Sequence, residues 1–209
     1  MLMKRILFAG LIITCITFLF SCSKADDPGI DNADVYSVTI DSSLKSFYPK
    51  PTPSSSEEQI FKWNFNQFPL SITCAMVFKI YWYGDASIHG IYIHFDELDG
   101  DVLMDADGFV KAFDSGVTID STTAGTWSGP NDAVVAYDYI NHPSADSGNL
   151  AGKGDKYIVF SAHTGDVATA HLKHYGWMRV QVSGSGREVK ILSMGFQKKA
   201  NTSLYTGEL

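Results

Sequence analysis

The densest candidate chemistry in the chain is acidic. Asp96-Glu97-Leu98-Asp99-Gly100-Asp101 is followed closely by Asp105-Ala106-Asp107-Gly108. Calcium is a hard cation that gathers several carboxylate and carbonyl oxygens from one loop, so Asp96, Asp99, Asp101, Asp105 and Asp107 are the candidate ligands. An EF-hand is excluded, because Gly108 in its sixth position would put Leu103 first, and leucine cannot ligate. The competing reading is a solvated acidic turn. A zinc site is not expected. His171 and His174 lie three apart in a stretch that reads as strand, where odd spacing sends side chains to opposite faces, and His89 and His94 are opposed likewise. Glycoside hydrolysis needs two carboxyl groups flanking the bond. The glutamates Glu57, Glu58, Glu97, Glu188 and Glu208 do not mark such a pair, and no aspartate pair stands out. No Gly-rich phosphate loop or Gly-x-Ser-x-Gly elbow is present.

Two further sets of residues could do chemistry. Cys74 sits in Leu70-Ser71-Ile72-Thr73-Cys74-Ala75-Met76 and is most simply a small core residue. Trp177 and Arg179 share one face of an alternating run, opposite Met178 and Val180. If the valine face is core, Trp177 and Arg179 point outward and form a binding pair for a sugar ring or a partner. The other reading, which the run favours as a fold signature, covers Trp177 with a second layer or loop.

The elements that must position these residues are short and β-like. Val35–Ile40 alternates, and Tyr48–Ser56 holds three prolines and three serines, a loop in any fold. Ile60, Lys62 and Asn64 alternate against Phe61, Trp63 and Phe65. Met76–Tyr83 and Ile88–Phe95 flank Gly84-Asp85-Ala86-Ser87 as a hairpin. In the second strand Ile91, Ile93 and Phe95 share a face and Tyr92 and His94 the other. Phe109, Val110 and Phe113, followed by Gly116, have the spacing of one short helix. Gly116–Ile119, Ala133–Ile140 and Lys156–Ala162 add strands. The clearest hairpin is Tyr175–Val182, a turn at Ser183–Arg187, and a return over Val189–Phe196. The expected fold is all-β: an antiparallel, jelly-roll-like β-sandwich with at most one short helix. The 13 Phe, 10 Tyr and 18 Gly agree with strands and tight turns.

The N-terminus sets the context. Lys4 and Arg5 precede an uncharged apolar run from Ile6 to Phe20, too short for a spanning helix of about 20 residues. This is the layout of a secretory signal. Leu19-Phe20-Ser21-Cys22 resembles the lipobox of bacterial lipoproteins, which implies cleavage before Cys22 and acylation of that cysteine. Ser23–Asp34, with Asp26, Asp27, Pro28, Gly29 and Asp31, reads as a tether and resembles the export tag of surface-exposed lipoproteins in the Bacteroidota. Residues 1–22 are thus the expected signal, 23–34 the tether and 35–209 one folded domain. Losing Lys4 and Arg5 moves the formal charge from −7 to −9. Such an acidic chain offers nucleic-acid phosphates no basic face. With Cys15 and Cys22 outside the domain, Cys74 has no partner for an internal disulfide.

A second resemblance covers about half the chain. Lys156–Phe160, Tyr175-Gly176-Trp177-Met178-Arg179-Val180, Val189–Phe196 and Tyr205-Thr206-Gly207-Glu208 resemble a recurrent pattern of secreted bacterial proteins, including uncharacterised lipoproteins of the Bacteroidota. Phe113–Ile119 with Trp127 is similar to the segment that precedes it. The resemblance implies an exported β-rich domain and no activity. Asp120-Ser121-Thr122 resembles the O-glycosylation acceptor of the same bacteria, with Ser121 as the site. The expected protein is a non-catalytic binding or interaction module, lipid-anchored through Cys22 at the outer membrane, facing the cell surface. Its expected partners are the membrane and a glycan or envelope protein, with no cofactor beyond the candidate calcium. The alternative is a hydrolase of an extracellular glycan.

Overall fold

The computed structural model describes residues 34–45, 59–64, 75–83, 88–95, 100–129, 132–139, 148–163 and 172–208. Cys22, Cys74, Asp96 and Asp99, the signal and all of the tether before Asp34 lie outside them. Strands make up 66% of the interpretable chain and no helix occurs there, which settles an all-β antiparallel fold consistent with a sandwich.

The strands are β1 (Val35–Lys45), β2 (Gln59–Asn64), β3 (Ala75–Tyr83), β4 (Ile88–Phe95), β5 (Gly100–Met104), β6 (Ala112–Phe113), β7 (Thr118–Ile119), β8 (Thr126–Trp127), β9 (Ala133–Tyr139), β10 (Asp155–His163), β11 (Lys173–Val182), β12 (Glu188–Gln197) and β13 (Leu204–Tyr205). One sheet runs β1-β12-β11-β10-β5-β8, with β6 also on β10. The other runs β2-β3-β4-β9, and β7 and β13 form a two-stranded ribbon. The two large sheets close on one apolar core. Met76, Phe78, Ile91, Ile93 and Phe95 enter from one sheet, and Ile158, Phe160, Met178, Val180, Ile191 and Phe196 from the other. Period-2 alternation predicts these faces except on β12, where the residue inserted at Leu192 brings Ile191 and Phe196 to one face. Ile60, Lys62 and Asn64 are exposed, while Phe61 and Trp63 pack on the core, as their alternation requires.

The helix expected over Phe109–Phe113 does not form. Gly108 takes φ +84 and turns the chain, after which Phe109 bridges Val134, Val110 bridges Met104 and β6 pairs with β10. The spacing misleads because the three apolar residues serve different layers. Val110 enters the main core and Phe113 a second cluster, while the Phe109 ring meets Tyr137 edge-on at 5.9 Å.

That second cluster lies on the outer face of the larger sheet. Tyr157, Val159, Tyr175 and Trp177 pack there beneath Ile119 and Leu204 of the ribbon, with Leu103, Phe113 and Val35 alongside. The closing segment is tied down through Thr206, whose hydroxyl donates to the Asp114 carbonyl at 2.6 Å and accepts from the Val117 N–H at 2.9 Å. The Tyr-Gly-Trp run acquires a physical meaning here. A Cβ at Gly176 would sit 2.2 Å from the Phe160 ring, which stacks with Phe196 across it at 5.9 Å. Trp177 lies over Gly195, its direct partner on β12, where a Cβ would come within 2.3 Å of the indole. Successive residues of one strand thus serve two cores on opposite faces.

Candidate functional site: an open groove at the β1 bulge

The ribbon stops short of covering the larger sheet. Val159, Trp177, Gly195 and Ser37 lie in register across it, with Trp177 only 1% exposed. One row further, Arg179, Ser193 and Thr39 are cross-strand neighbours, half-buried at the first two and exposed at Thr39. Trp177 and Arg179 therefore separate. The tryptophan is sealed beneath the ribbon and offers no surface for stacking, whereas the arginine remains accessible.

At this row the strands are irregular. Register shifts occur between Thr39 and Ser42 of β1 and between Arg179 and Val180 of β11. Leu192 is the extra residue on β12, inserted between Ser193 and Ile191, which pair with Arg179 and Val180 of β11. Bulges of this kind twist a sheet edge and re-aim side chains. Asp41, inside the β1 irregularity, takes φ +49, a left-handed conformation uncommon outside glycine, and its side chain is exposed. The result is an open groove of about 500 Å³ lined by Ser37, Val38, Thr39, Asp41, Arg179, Leu192 and Ser193. That is within the ~300–1,000 Å³ range of ligand pockets.

Arg179 is held from behind. Its Nε donates to Asp155 Oδ2 at 2.8 Å and one Nη joins the same oxygen, while the Gln181 amide donates to the other carboxylate oxygen. These bonds, the arginine's first, draw the Asp155 carboxyl below its ordinary value, and Asp155 raises Arg179 further. The pair stays charged through neutral pH. Asp155 engages one edge of the planar fork, and Nη1 has no partner among the described residues. No side-chain hydrogen bond of Ser37, Thr39, Asp41 or Ser193 is formed among the described residues either.

Asp96 and Asp99 lie outside the described residues, and the other predicted site residues among the described ones take separate partners. Asp101, on β5, faces Lys173 at 3.5 Å and His163 at 3.7 Å. Asp105 closes its own turn, accepting from the Asp107 and Phe109 N–H groups at 2.9 and 3.0 Å and from Asn149 at 2.5 Å. Burial raises its pKa, but those bonds outweigh burial and leave it lowered. Asp107 is exposed on the same turn. Among the described residues no three His, Cys, Asp or Glu converge as an ion site. His174 is buried, stacked on Phe196 with its Nδ1–H donating to the Gln197 carbonyl at 3.0 Å, and is a core residue. Ser121 is exposed beside Asp120, whose carboxylate accepts from the N–H and hydroxyl of Thr122, both at 2.7 Å. Sequence reasoning found Arg179 but missed Thr39, Asp41 and Ser193. Asp41-Ser42-Ser43 are turn residues by type and end the expected strand at Ile40, whereas β1 runs on through them to Lys45 with a register shift. Compared with protein-family models, curated proteins and solved structures, the chain finds no match in any of the three.

Proposed function

We propose that this chain is a binding module of the bacterial outer membrane, anchored by lipid on Cys22 and presenting the β1-bulge groove at the cell surface. The observation that carries the reading is the convergence at that groove. A left-handed, exposed Asp41, an arginine fixed from behind and three hydroxyls, the arginine's Nη1 and the hydroxyls without partners among the described residues, meet where the covering ribbon ends. Groups held in place before a ligand arrives lose little freedom on binding, which is how a shallow site gains affinity. The lipobox-like Leu19-Phe20-Ser21-Cys22 and the acidic tether supply the attachment. A glycan and an envelope protein are the two partner classes that such a surface suits.

Whole-cell labelling tests the arrangement. Thr39→Cys is expected to react with a membrane-impermeant maleimide on intact cells, above the wild-type background from Cys74. Cys22→Ala is expected to leave the membrane fraction or to accumulate uncleaved. Labelling of Thr39→Cys only after lysis, or retention of a cleaved Cys22→Ala in the membrane equal to wild type, overturns the reading.

A further inference from the structure

Building on the groove as the contact surface, we infer that its ligand is an uncharged saccharide held through its hydroxyl groups. Three features of the groove select this class over an anionic glycan or a peptide. The first is the mix of donors and acceptors. Arg179 Nη1 only donates, the Asp41 carboxylate only accepts, and the Ser37, Thr39 and Ser193 hydroxyls do both. A sugar hydroxyl also donates and accepts, so neighbouring hydroxyls can be matched around the whole rim. Leu192 provides an apolar part for the C–H face of a ring, while the Val38 side chain packs on the main core.

The second feature is charge. Arg179 is offset by Asp155, with which it shares two hydrogen bonds, and Asp41 leaves the groove one unit negative. The whole chain is at −7. A carboxylated or sulfated ligand meets repulsion here, not steering. The third feature is the backbone. β1 ends its sheet, and an added peptide strand needs a regular row of N–H and C=O groups along such an edge. The Thr39–Ser42 irregularity and the left-handed Asp41 interrupt that row at the groove. Recognition there falls to side chains.

The test uses the full chain in detergent. The probes are neutral gluco-, manno-, galacto- and xylo-hexasaccharides, with an oligogalacturonate of equal length as the anionic counterpart. Two variants preserve the fold: Asp41→Gly, which suits a left-handed backbone, and Thr39→Val, which keeps the side-chain shape. At least one neutral hexasaccharide is expected to bind, with about tenfold or greater weakening in Asp41→Gly, as loss of a hydrogen bond to a charged group implies. Thr39→Val is expected to weaken binding by a smaller factor. The melting temperature of Asp41→Gly should match or exceed wild type. Preference for the oligogalacturonate overturns the assignment of an uncharged ligand. Saccharide binding that neither variant weakens places the sugar elsewhere and overturns the groove as its site. Absence of binding to every saccharide overturns the ligand class, while the labelling of Thr39→Cys on cells still decides the anchored-module reading separately.

Discussion

Strand β11 offers a sharp test of the architecture, because adjacent residues face different surroundings. Val180 is fully buried in the main core, paired with Lys156 on one side and Ile191 on the other. Val180→Asp forfeits about 1.5–3 kcal/mol of apolar burial. It also places a carboxyl among Phe, Ile, Met and Val side chains, where its cross-strand neighbour Lys156 is already engaged by Asp114, at a further cost of about 1–3 kcal/mol. The sum, about 2.5–6 kcal/mol, is a large part of the ~5–15 kcal/mol that typically holds a domain together. Gln181 points to the outer face beside Asp155 and is half-buried. Gln181→Asp loses one hydrogen bond, about 1 kcal/mol, and sets two carboxylates side by side, about 0.2–1 kcal/mol more. Urea unfolding followed by tryptophan fluorescence should separate the two. With a slope of ~2 kcal/mol/M, the midpoint should fall by about 1.2–3 M for Val180→Asp and by no more than about 1 M for Gln181→Asp. Equal shifts would mean that both faces are sealed at this row, and the covering ribbon would then extend over Arg179. A larger shift at Gln181 would reverse the faces and refute the sandwich as described.

Gly195→Ala should cost about 1–3 kcal/mol or more, because its Cβ would come within 2.3 Å of the Trp177 indole. The cost should shrink in a Trp177→Leu background; strict additivity in that double-mutant cycle would show that the indole does not lie over the glycine. His174 is buried, which lowers its pKa despite the opposing bond to Gln197. The unfolded chain therefore takes up this proton first, near pH 6.5, so native stability falls as pH drops through that value and levels off below the folded pKa. The stability gap between wild type and His174→Phe should narrow between pH 7 and 5, and a constant or widening gap in denaturation midpoints would remove His174 as the source.

The strands were legible where one residue in two meets a core. Phe61 and Trp63 alternate against the exposed Ile60, Lys62 and Asn64, and Val180 and Val182 against the half-buried Arg179 and Gln181, so the inward face could be read directly. Legibility failed where a strand is short or serves two layers. β5 was hidden in the acidic run, because Gly100 and Asp101 are turn residues by type. Yet Gly100 lies under the Phe95 ring, and Asp101 turns to Lys173 and His163. The β7–β13 ribbon joins residues more than eighty apart in sequence, and two-residue strands carry no period to detect.

The same reasoning explains why the groove was harder to foresee than the core. Burial leaves a periodic trace, since each inward position must be apolar. A polar groove is assembled from residues that water also accepts, so Ser37, Thr39 and Ser193 look like any exposed strand positions. What sets them apart is where the ribbon stops and where β1 and β12 lose register, and both are properties of pairing between distant segments. Arg179 alone gave a local signal, through its place two residues after Trp177 on the same face. The shared face allows either one exposed pair or a covered Trp177, and the ribbon edge, falling between the two side chains, covers the tryptophan and leaves the arginine accessible. Trp177 anchors the second core, and Arg179 is the first residue beyond it that a ligand can reach.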